Sequence, residues 1–304
     1  LRKLVKGALS IKADDYHTIL DGFRELRQRD SRVPLPSMDD LNAAESKWSK
    51  LLRENEKLQI KCVSVFDDQF PSRTRDIPDS PLLLFIKGNG EALNRKRSVA
   101  IIGTREVSNK GFRAGERLGQ VFAEQGIVVI SGLAKGSDTA GHLGCVAGKG
   151  EAVAVLAGGL EKVYPKENTK LAEDILAYGG ALVSEYAVGT SPQKNYFVER
   201  DRLQSGLSDA VVVLETGRIG GTMHTVGFCK DQGRVLACLD PKRVGIDPFA
   251  KIDGNEYIIS QLGGMPIGGP DDIQDLIRRI SHDSGPPIMS SGPMDGKGQF
   301  KLFE

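Results

Sequence analysis

The chain has 304 residues, of which 39% are hydrophobic and 27% charged, and its formal net charge is +1 at pH 7. This composition is typical of a soluble globular protein with room for one large α/β domain and a smaller one. A near-neutral charge argues against a uniformly basic coat for nucleic acid but is compatible with a local basic groove. No apolar stretch approaches the ~20 residues of a membrane span, so we expect a cytoplasmic protein without membrane contact.

The first 58 residues predict a small helical accessory domain. Apolar side chains recur there at helical spacing, namely Tyr16, Ile19, Leu20, Phe23 and Leu26. Residues 41–58 form a charged amphipathic segment, and Ser37 is suited to cap the helix that contains it. A short strand over 60–66 and a proline-rich segment ending in the apolar run 82–86 follow.

From Ser98 onward, apolar strands alternate with helices. The predicted strands are 98–102, 127–131, 152–156, 181–184, 210–214 and 235–239, and the predicted helices are 111–125, 139–147, 169–178, 223–232 and 271–280. Strands that are apolar at every position are buried on both faces, as in parallel sheets. We therefore predict a doubly wound, mostly parallel sheet over residues 59–281 and a flexible tail over 282–304, where Gly, Pro, Ser and Asp dominate.

Two of these strands end in glycine and a basic residue. Gly103, Thr104 and Arg105 follow the first strand, and the loop from Gly132 to Gly136 with Lys135 follows the second. Ligands of such sheets bind outside the carboxyl ends of the strands, where glycine lets backbone amides approach an anion. The ligand group predicted here is phosphate. The alternative is that Arg105 pairs with an acid such as Glu185 and only holds the loop.

A third segment mixes cations with aromatic rings on what we expect to be a loop leading into a helix. It contains Lys194, Tyr196, Phe197, Arg200 and Arg202. Cations for the backbone and rings for the bases are what a single-stranded nucleic acid requires. In the alternative interpretation Phe197 is a core residue, and Arg200 or Arg202 forms an ion pair with Asp209 or Glu215.

The sequence indicates a binding protein more than an enzyme. Gly221 and Thr222 stand at the predicted start of a helix, which again suits an anion. Neither a GxGxxG nor a Walker motif occurs, so no cofactor is expected. His142 and His224 could act as bases, but a single histidine on a helix is more often a packing residue. The four cysteines lack metal-site spacing and predict free thiols, with no metal.

From about Phe70 to Asp275 the chain resembles the DprA/Smf DNA-processing protein family. The landmarks in order are Phe70-Pro71, Val99 to Arg105, Ser131 to Gly136, Asp138, Ala140 to His142, Tyr164-Pro165, Gly179 to Tyr186, Phe197 to Arg202, Gly206 to Ala210, Glu215, Gly221-Thr222 and Gly233 to Val235. The resemblance implies an extended Rossmann-like domain that binds single-stranded DNA, forms a homodimer and loads a RecA-type recombinase in transformation or recombination.

The resemblance also implies roles for individual residues. By matching position, Arg105 takes the family's Gly-Ser/Thr-Arg arginine, and Lys194, Phe197, Arg200 and Arg202 take its basic and Phe-x-x-Arg-Asn-Arg positions. Together with the glycine-rich loops, the candidate nucleic-acid-binding set is Gly103, Thr104, Arg105, Gly132, Lys135, Gly136, Lys194, Phe197, Arg200, Arg202, Gly221 and Thr222. No catalytic residue is assigned.

The chain departs from the family pattern at several positions. Val198 replaces the usual Pro, and Asp201 replaces the usual Asn, which adds negative charge beside the phosphate site. The loop 219–225 also differs from the family's Ser-Gly-Ser-Leu-Ile-Thr-Ala, and no winged-helix domain is expected in the short tail. These differences favour a divergent member, for which a role in phage defence is one alternative.

A rival interpretation comes from the LOG-like nucleotide phosphoribohydrolases and the related SLOG sensors of a nucleotide or a nucleic-acid end, which have the same fold. Gly220, Gly221 and Thr222 faintly resemble the LOG motif Pro-Gly-Gly-x-Gly-Thr-x-x-Glu. If Gly221 and Thr222 match its Gly-Thr, Thr225 stands where that motif has its catalytic glutamate. Hydrolysis would then lack its carboxylate.

Overall fold

The structure, a computed structural model, describes residues 16–247 and 250–281. Part of the predicted accessory domain and the whole predicted tail 282–304 lie outside these ranges. Two helices come first, α1 (Tyr16–Arg29) and α2 (Met38–Lys57). Ser37 caps α2 as predicted: its hydroxyl accepts from the Asp40 amide at 3.1 Å, and the Asp40 carboxylate accepts from the Ser37 amide at 2.8 Å. A domain boundary after residue 58 stays a prediction.

The strands and helices that follow alternate along the chain. The strands are β1 (Ile60–Ser64), β2 (Leu83–Gly88), β3 (Ser98–Ile102), β4 (Val128–Ser131), β5 (Ala152–Val155), β6 (Ala181–Ser184), β7 (Ala210–Val213), β8 (Val235–Leu239) and β9 (Met265–Ile267). The helices are α3 (Ser72–Arg75), α4 (Asn109–Glu124), α5 (Ser137–Ala147), α6 (Thr169–Ala177), α7 (Lys194–Gly206), α8 (Gly221–Asp231), α9 (Pro241–Val244), α10 (Asp253–Gln261) and α11 (Pro270–Ile280).

Within the described ranges, nine strands form one sheet in the order β1-β2-β6-β5-β4-β3-β7-β8-β9. The pairs from β6 to β9 are parallel, whereas β1 and β2 add an antiparallel edge. Every residue of β3, β4, β5, β6 and β7 is buried. Helices cover both faces, and the predicted doubly wound, mostly parallel sheet is confirmed.

The strand order reverses between β3 and β7. After β3 the chain builds β4, β5 and β6 on one side, and β7, β8 and β9 extend the sheet on the other. The connections that leave β3 and β7 therefore diverge, and a crevice opens between them at the carboxyl ends of the strands. Such a switch point is the general ligand site of open α/β sheets.

Several predicted boundaries require correction. Helix α8 begins at Gly221 rather than at 223, and the predicted strand 60–66 ends at Ser64, where Asp67 accepts a hydrogen bond from the Ser64 amide at 2.6 Å and turns the chain. Helix α10 and strand β9 were not among the predicted elements. Among the described helices, none combines the length and apolar character needed to cross a bilayer.

Candidate nucleic-acid interface

A pocket of about 800 Å³ occupies the crevice at the switch point. Its walls come from the loop after β3, the first three turns of α7, and the connection from β7 into α8. Eight of the twelve candidate residues line it: Gly103, Thr104, Arg105, Lys194, Phe197, Arg200, Gly221 and Thr222. The topology thus brings together three segments that are distant in the chain.

Backbone hydrogen bonds fix the loop that bears Arg105. The Thr104 amide donates to the carbonyl of Glu215 at 2.7 Å, and the Thr104 carbonyl accepts from the Ser137 amide at 3.2 Å. Gly136 has a φ of 77°, and a Cβ there would lie 2.5 Å from the Arg105 carbonyl oxygen. Gly136 does not line the pocket but allows the two loops to pack closely.

Arg105 is exposed at the rim of the pocket, and its guanidinium carbon lies 5.5 Å from the centroid of the Phe197 ring. Within residues 16–247 and 250–281 it forms no ion pair. The alternative in which Arg105 pairs with Glu185 is wrong, because Glu185 binds Arg202 instead. The Arg105 cation can therefore accept an anionic ligand without first breaking an ion pair.

Arg200 forms the floor of the pocket rather than an exposed contact. Its side chain is 5% exposed, its Nη1 donates to the Val155 carbonyl at 2.8 Å, and its Nε lies 3.3 Å from Asp201 Oδ1. Gly132 makes room for it, since a Cβ there would lie 1.5 Å from Arg200 Nη1. Gly132 and Lys135 line a small adjoining pocket of about 70 Å³ that shares Arg105 and Phe197 with the large one.

Arg202 does not reach either pocket. Its Nη1 and Nη2 donate to the Glu185 carboxylate at 2.5 and 2.6 Å, its Nε donates to the Asp79 carbonyl at 2.9 Å, and its side chain is 5% exposed. The alternative ion pairs of Arg200 or Arg202 with Asp209 or Glu215 were wrong as well. Asp209 forms an ion pair with Arg73, and the Glu215 carboxylate accepts from Ser108.

Two carboxylates share the Arg200 cation below the pocket. Burial raises the pKa of Asp138, and it raises the pKa of Asp201 to about 6. The nearby Arg200 cation opposes both shifts. Asp138 also accepts from the amides of Gly132 at 3.0 Å and Ala134 at 3.2 Å. The floor therefore holds two carboxyl groups beside one guanidinium.

The two candidate histidines lie away from the lining of the pocket. His142 is fully buried in α5, and burial lowers its pKa to about 3, so it is neutral at physiological pH. His224 is exposed on α8. Among the residues that the structure describes, no cluster of three His, Cys, Asp or Glu side chains could hold a metal ion.

The aromatic residues lie on helix α7 and beside it, not on a loop as predicted. α7 begins at Lys194, which places Tyr196 and Phe197 in its first turn. Tyr164 lies 5.9 Å from Phe197, ring centroid to ring centroid, and Tyr186 stacks on Tyr196 at 4.1 Å. Sequence reasoning did not assign Tyr164 to the site, although it lines both pockets and is 55% exposed.

Comparison with known proteins supports a single family. The model of the family described as DNA recombination-mediator protein A matches residues 61–276. The DNA processing protein DprA of Bacillus subtilis is 30% identical over 262 residues, which cover 86% of this chain and 86% of that protein. The DprA of Streptococcus pneumoniae is 37% identical over 208 residues, covering 68% and 71%. The chain belongs to the DNA recombination-mediator protein A family.

Solved structures of DprA proteins agree with this membership. The X-ray structure of S. pneumoniae DprA superposes with a TM-score of 0.65 at 26% identity, covering 90% of this chain and 86% of that one. DprA of Helicobacter pylori has the same fold, with a TM-score of 0.63 at 24% identity, covering 72% of this chain and 94% of that one. Its structure is described as showing a unique single-stranded DNA binding mode. The resemblance to DprA/Smf is confirmed, and a DprA-like role in DNA processing goes with it.

Proposed function

We propose that the protein binds single-stranded DNA across the pocket at the switch point. The observation that supports this most strongly is the exposed Arg105 cation, which forms no ion pair within the described ranges and lies beside the face of Phe197 at the rim of a pocket of about 800 Å³. A guanidinium grips a phosphate with two parallel hydrogen bonds, and an aromatic face stacks on any base. Relatives named DNA processing protein DprA support the same ligand.

The proposal gives the candidate residues different roles. Arg105, Lys194, the Gly103 amide and the Thr104 hydroxyl contact phosphates, and Phe197 stacks on a base. The start of α8 at Gly221 and Thr222 offers unpaired backbone amides to a further phosphate. Lys135 forms an exposed ion pair with Glu167 at 2.5 Å, which a phosphate can replace at little cost.

Gly132, Gly136 and Arg200 position these groups from below. Gly132 and Gly136 have no side chain that could contact a ligand. Their small size allows Arg200 and the Arg105 loop to pack closely. Arg202 is a structural residue in this proposal, because both of its terminal nitrogens bind Glu185.

Family membership supports the remaining parts of the proposal. We infer a cytoplasmic homodimer that aligns two such pockets and loads a RecA-type recombinase on the bound strand, without a catalytic step of its own. Residues 1–58 act as its accessory domain. Light scattering on the purified protein should give the mass of a dimer, and a monomer at micromolar concentration would contradict this part.

Fluorescence polarisation with labelled oligo-dT and a duplex of equal length tests DNA binding. We expect the single strand to bind more tightly and its affinity to fall steeply with salt, since phosphate contacts release counterions. Duplex binding that equals or exceeds single-strand binding would overturn the proposal.

A second candidate is a sensor of a free nucleotide, because a pocket of about 800 Å³ is within the range that holds small ligands. A LOG-like hydrolase is less well supported, since Thr225 stands in the pocket wall where that motif has its glutamate. Competition of a mononucleotide against oligo-dT at equal nucleotide concentration separates sensor from strand binder.

A further inference from the structure

A glutamine without a complete set of partners forms part of the pocket wall. Gln204 on α7 lines the pocket and is 2% exposed. Its Nε2 donates to Asp201 Oδ1 at 2.8 Å, but its Oε1 is buried and has no hydrogen-bond donor among the described residues. Residues three apart share one face of a helix, so Asp201 and Gln204 present their polar groups together.

The other charges around this pair do not satisfy the orphan oxygen. Arg200 directs its Nη1 to the Val155 carbonyl and its Nε towards Asp201, and Asp138 is bound by the amides of Gly132 and Ala134. His142 is neutral and outside the lining. The Gln204 Oε1 therefore lacks a donor in the described part of the chain, and the Asp201 carboxylate, which already accepts one hydrogen bond from Gln204 Nε2, can accept another.

We propose that this floor is a base-recognition subsite for a nucleobase with an exocyclic amino group, borne by a nucleotide of the bound strand. The inference rests on the proposed function, which places phosphates at the rim near Arg105. A buried acceptor left without a donor is unfavourable. A ligand that supplies the donor therefore gains binding free energy by removing this cost.

An exocyclic amine fits two neighbouring acceptors better than a carbonyl does. The 4-amino group of cytosine has two N–H bonds, one for Gln204 Oε1 and one for the Asp201 carboxylate. Uracil has a carbonyl oxygen at that position, which would face acceptors instead. Cytosine and uracil also differ at N3, which accepts a hydrogen bond in cytosine and donates one in uracil, but both are small, weakly stacking pyrimidines and make a closely matched pair of probes.

The test compares oligo-dC with oligo-dU of equal length in polarisation titrations at pH 8. We expect the wild-type protein to bind oligo-dC about five- to tenfold more tightly, the effect of roughly one hydrogen bond. Gln204→Met should remove the difference between the two oligonucleotides. Gln232→Met is the matched control, because the Gln232 Oε1 is also buried without a partner but lies outside the pocket lining.

Each outcome bears on one of the two proposals. Equal binding of the two oligonucleotides by the wild type would overturn the subsite and leave DNA binding intact. Failure to bind either would overturn the proposed function itself. Competition by dCMP as strong as that of oligo-dC would show that the base is recognised free and not in a strand. The comparison of oligo-dC with oligo-dU on the wild-type protein needs no variant, so it tests the proposal even if Gln204→Met does not fold.

Discussion

The guanidinium of Arg105 lies over the ring of Phe197, 5.5 Å from the ring centroid to its terminal carbon. An aromatic face attracts a cation but does not neutralise it, whereas a carboxylate would. The contact can therefore orient Arg105 while its charge stays available to a ligand. The same ring centroid also lies 5.9 Å from the guanidinium carbon of Arg200, so an exposed cation and a buried one both lie near Phe197.

Replacing Arg105 with alanine should weaken binding of every single-stranded sequence alike, by about 10- to 100-fold, since hydrogen bonds to charged groups contribute about 1.5–3 kcal/mol. The slope of log affinity against log salt should fall by about 0.7 for each lost phosphate contact. Polarisation titrations over a salt series measure both. The melting temperature should hardly change, because the side chain is exposed.

Arg113→Ala is the matched control for charge, because Arg113 is exposed on α4 and does not line the pocket. A lower melting point for Arg105→Ala with unchanged affinity would show that Arg105 only holds its loop.

Phe197→Ala should lower single-strand affinity by about 1–3 kcal/mol if a base stacks on the ring, with a smaller effect on the salt slope than Arg105→Ala. Tyr178→Ala serves as the control, since Tyr178 is an exposed aromatic outside both pockets. An oligonucleotide with an abasic backbone should bind Phe197→Ala and wild type equally. If it discriminates between them, the ring acts on the phosphates through Arg105 and not on bases.

Arg202→Ala should be a stability mutant. It leaves the Glu185 carboxylate, 11% exposed, without its two arginine hydrogen bonds, and breaking a buried pair costs about 3–5 kcal/mol. Urea denaturation measures this loss, and Arg202→Met with Glu185→Met should recover much of it. DNA affinity per folded molecule should stay near wild type. Normal stability together with a loss of DNA binding would show instead that Arg202 contacts DNA.

The sequence contained enough information for the sheet but not for every side chain at its edge. Apolar runs such as 98–102 predict buried parallel strands because burial on both faces needs an apolar side chain at each position. β9 escaped prediction because it is three residues long and has Pro266 in its middle. Helix α10 escaped because Gly254 and Asn255 lie in its first turn.

The candidate site was predictable where glycine and charge follow a strand, as at Gly103 and Arg105. The role of a charged side chain was not predictable where it depends on which hydrogen-bond partner the fold places beside it. Arg200 and Arg202 are two positions apart, yet a helix points them in different directions, one to the pocket floor and one to Glu185. Tyr164 reaches the site through a loop, and no spacing rule relates it to Phe197.

Asp201→Asn should stabilise the protein at neutral and higher pH. Burial raises the folded-state pKa of Asp201 to about 6 from an ordinary 3.8, so the contribution of Asp201 to stability is greatest below about pH 4 and is lost as pH rises through 6. Asparagine keeps an oxygen for Gln204 Nε2 but carries no charge. We expect the variant to melt a few degrees above wild type at pH 8 and close to it at pH 4. Melting curves that run parallel over this range would contradict the assignment.

The same substitution should change DNA binding. A bound phosphate disfavours the Asp201 carboxylate nearby, so wild-type affinity for oligo-dU, which does not use that carboxylate as an acceptor, should rise as pH falls from 8 to 5, while neighbouring His142 stays neutral. Asp201→Asn should bind oligo-dU more tightly at pH 8 and lose most of this pH dependence. Titrations at constant ionic strength measure both, and a variant with the wild-type pH profile would assign the titration to another group.

The reversal of strand order between β3 and β7 has a mechanical consequence. One wall of the pocket, residues 103–106, leads into the half of the sheet built from β4 to β6, and the other, residues 216–222, leads into β8 and β9. A ligand that contacts both walls cross-links the two halves at the edge where their connections diverge. Bound DNA should therefore slow amide exchange in both connections together.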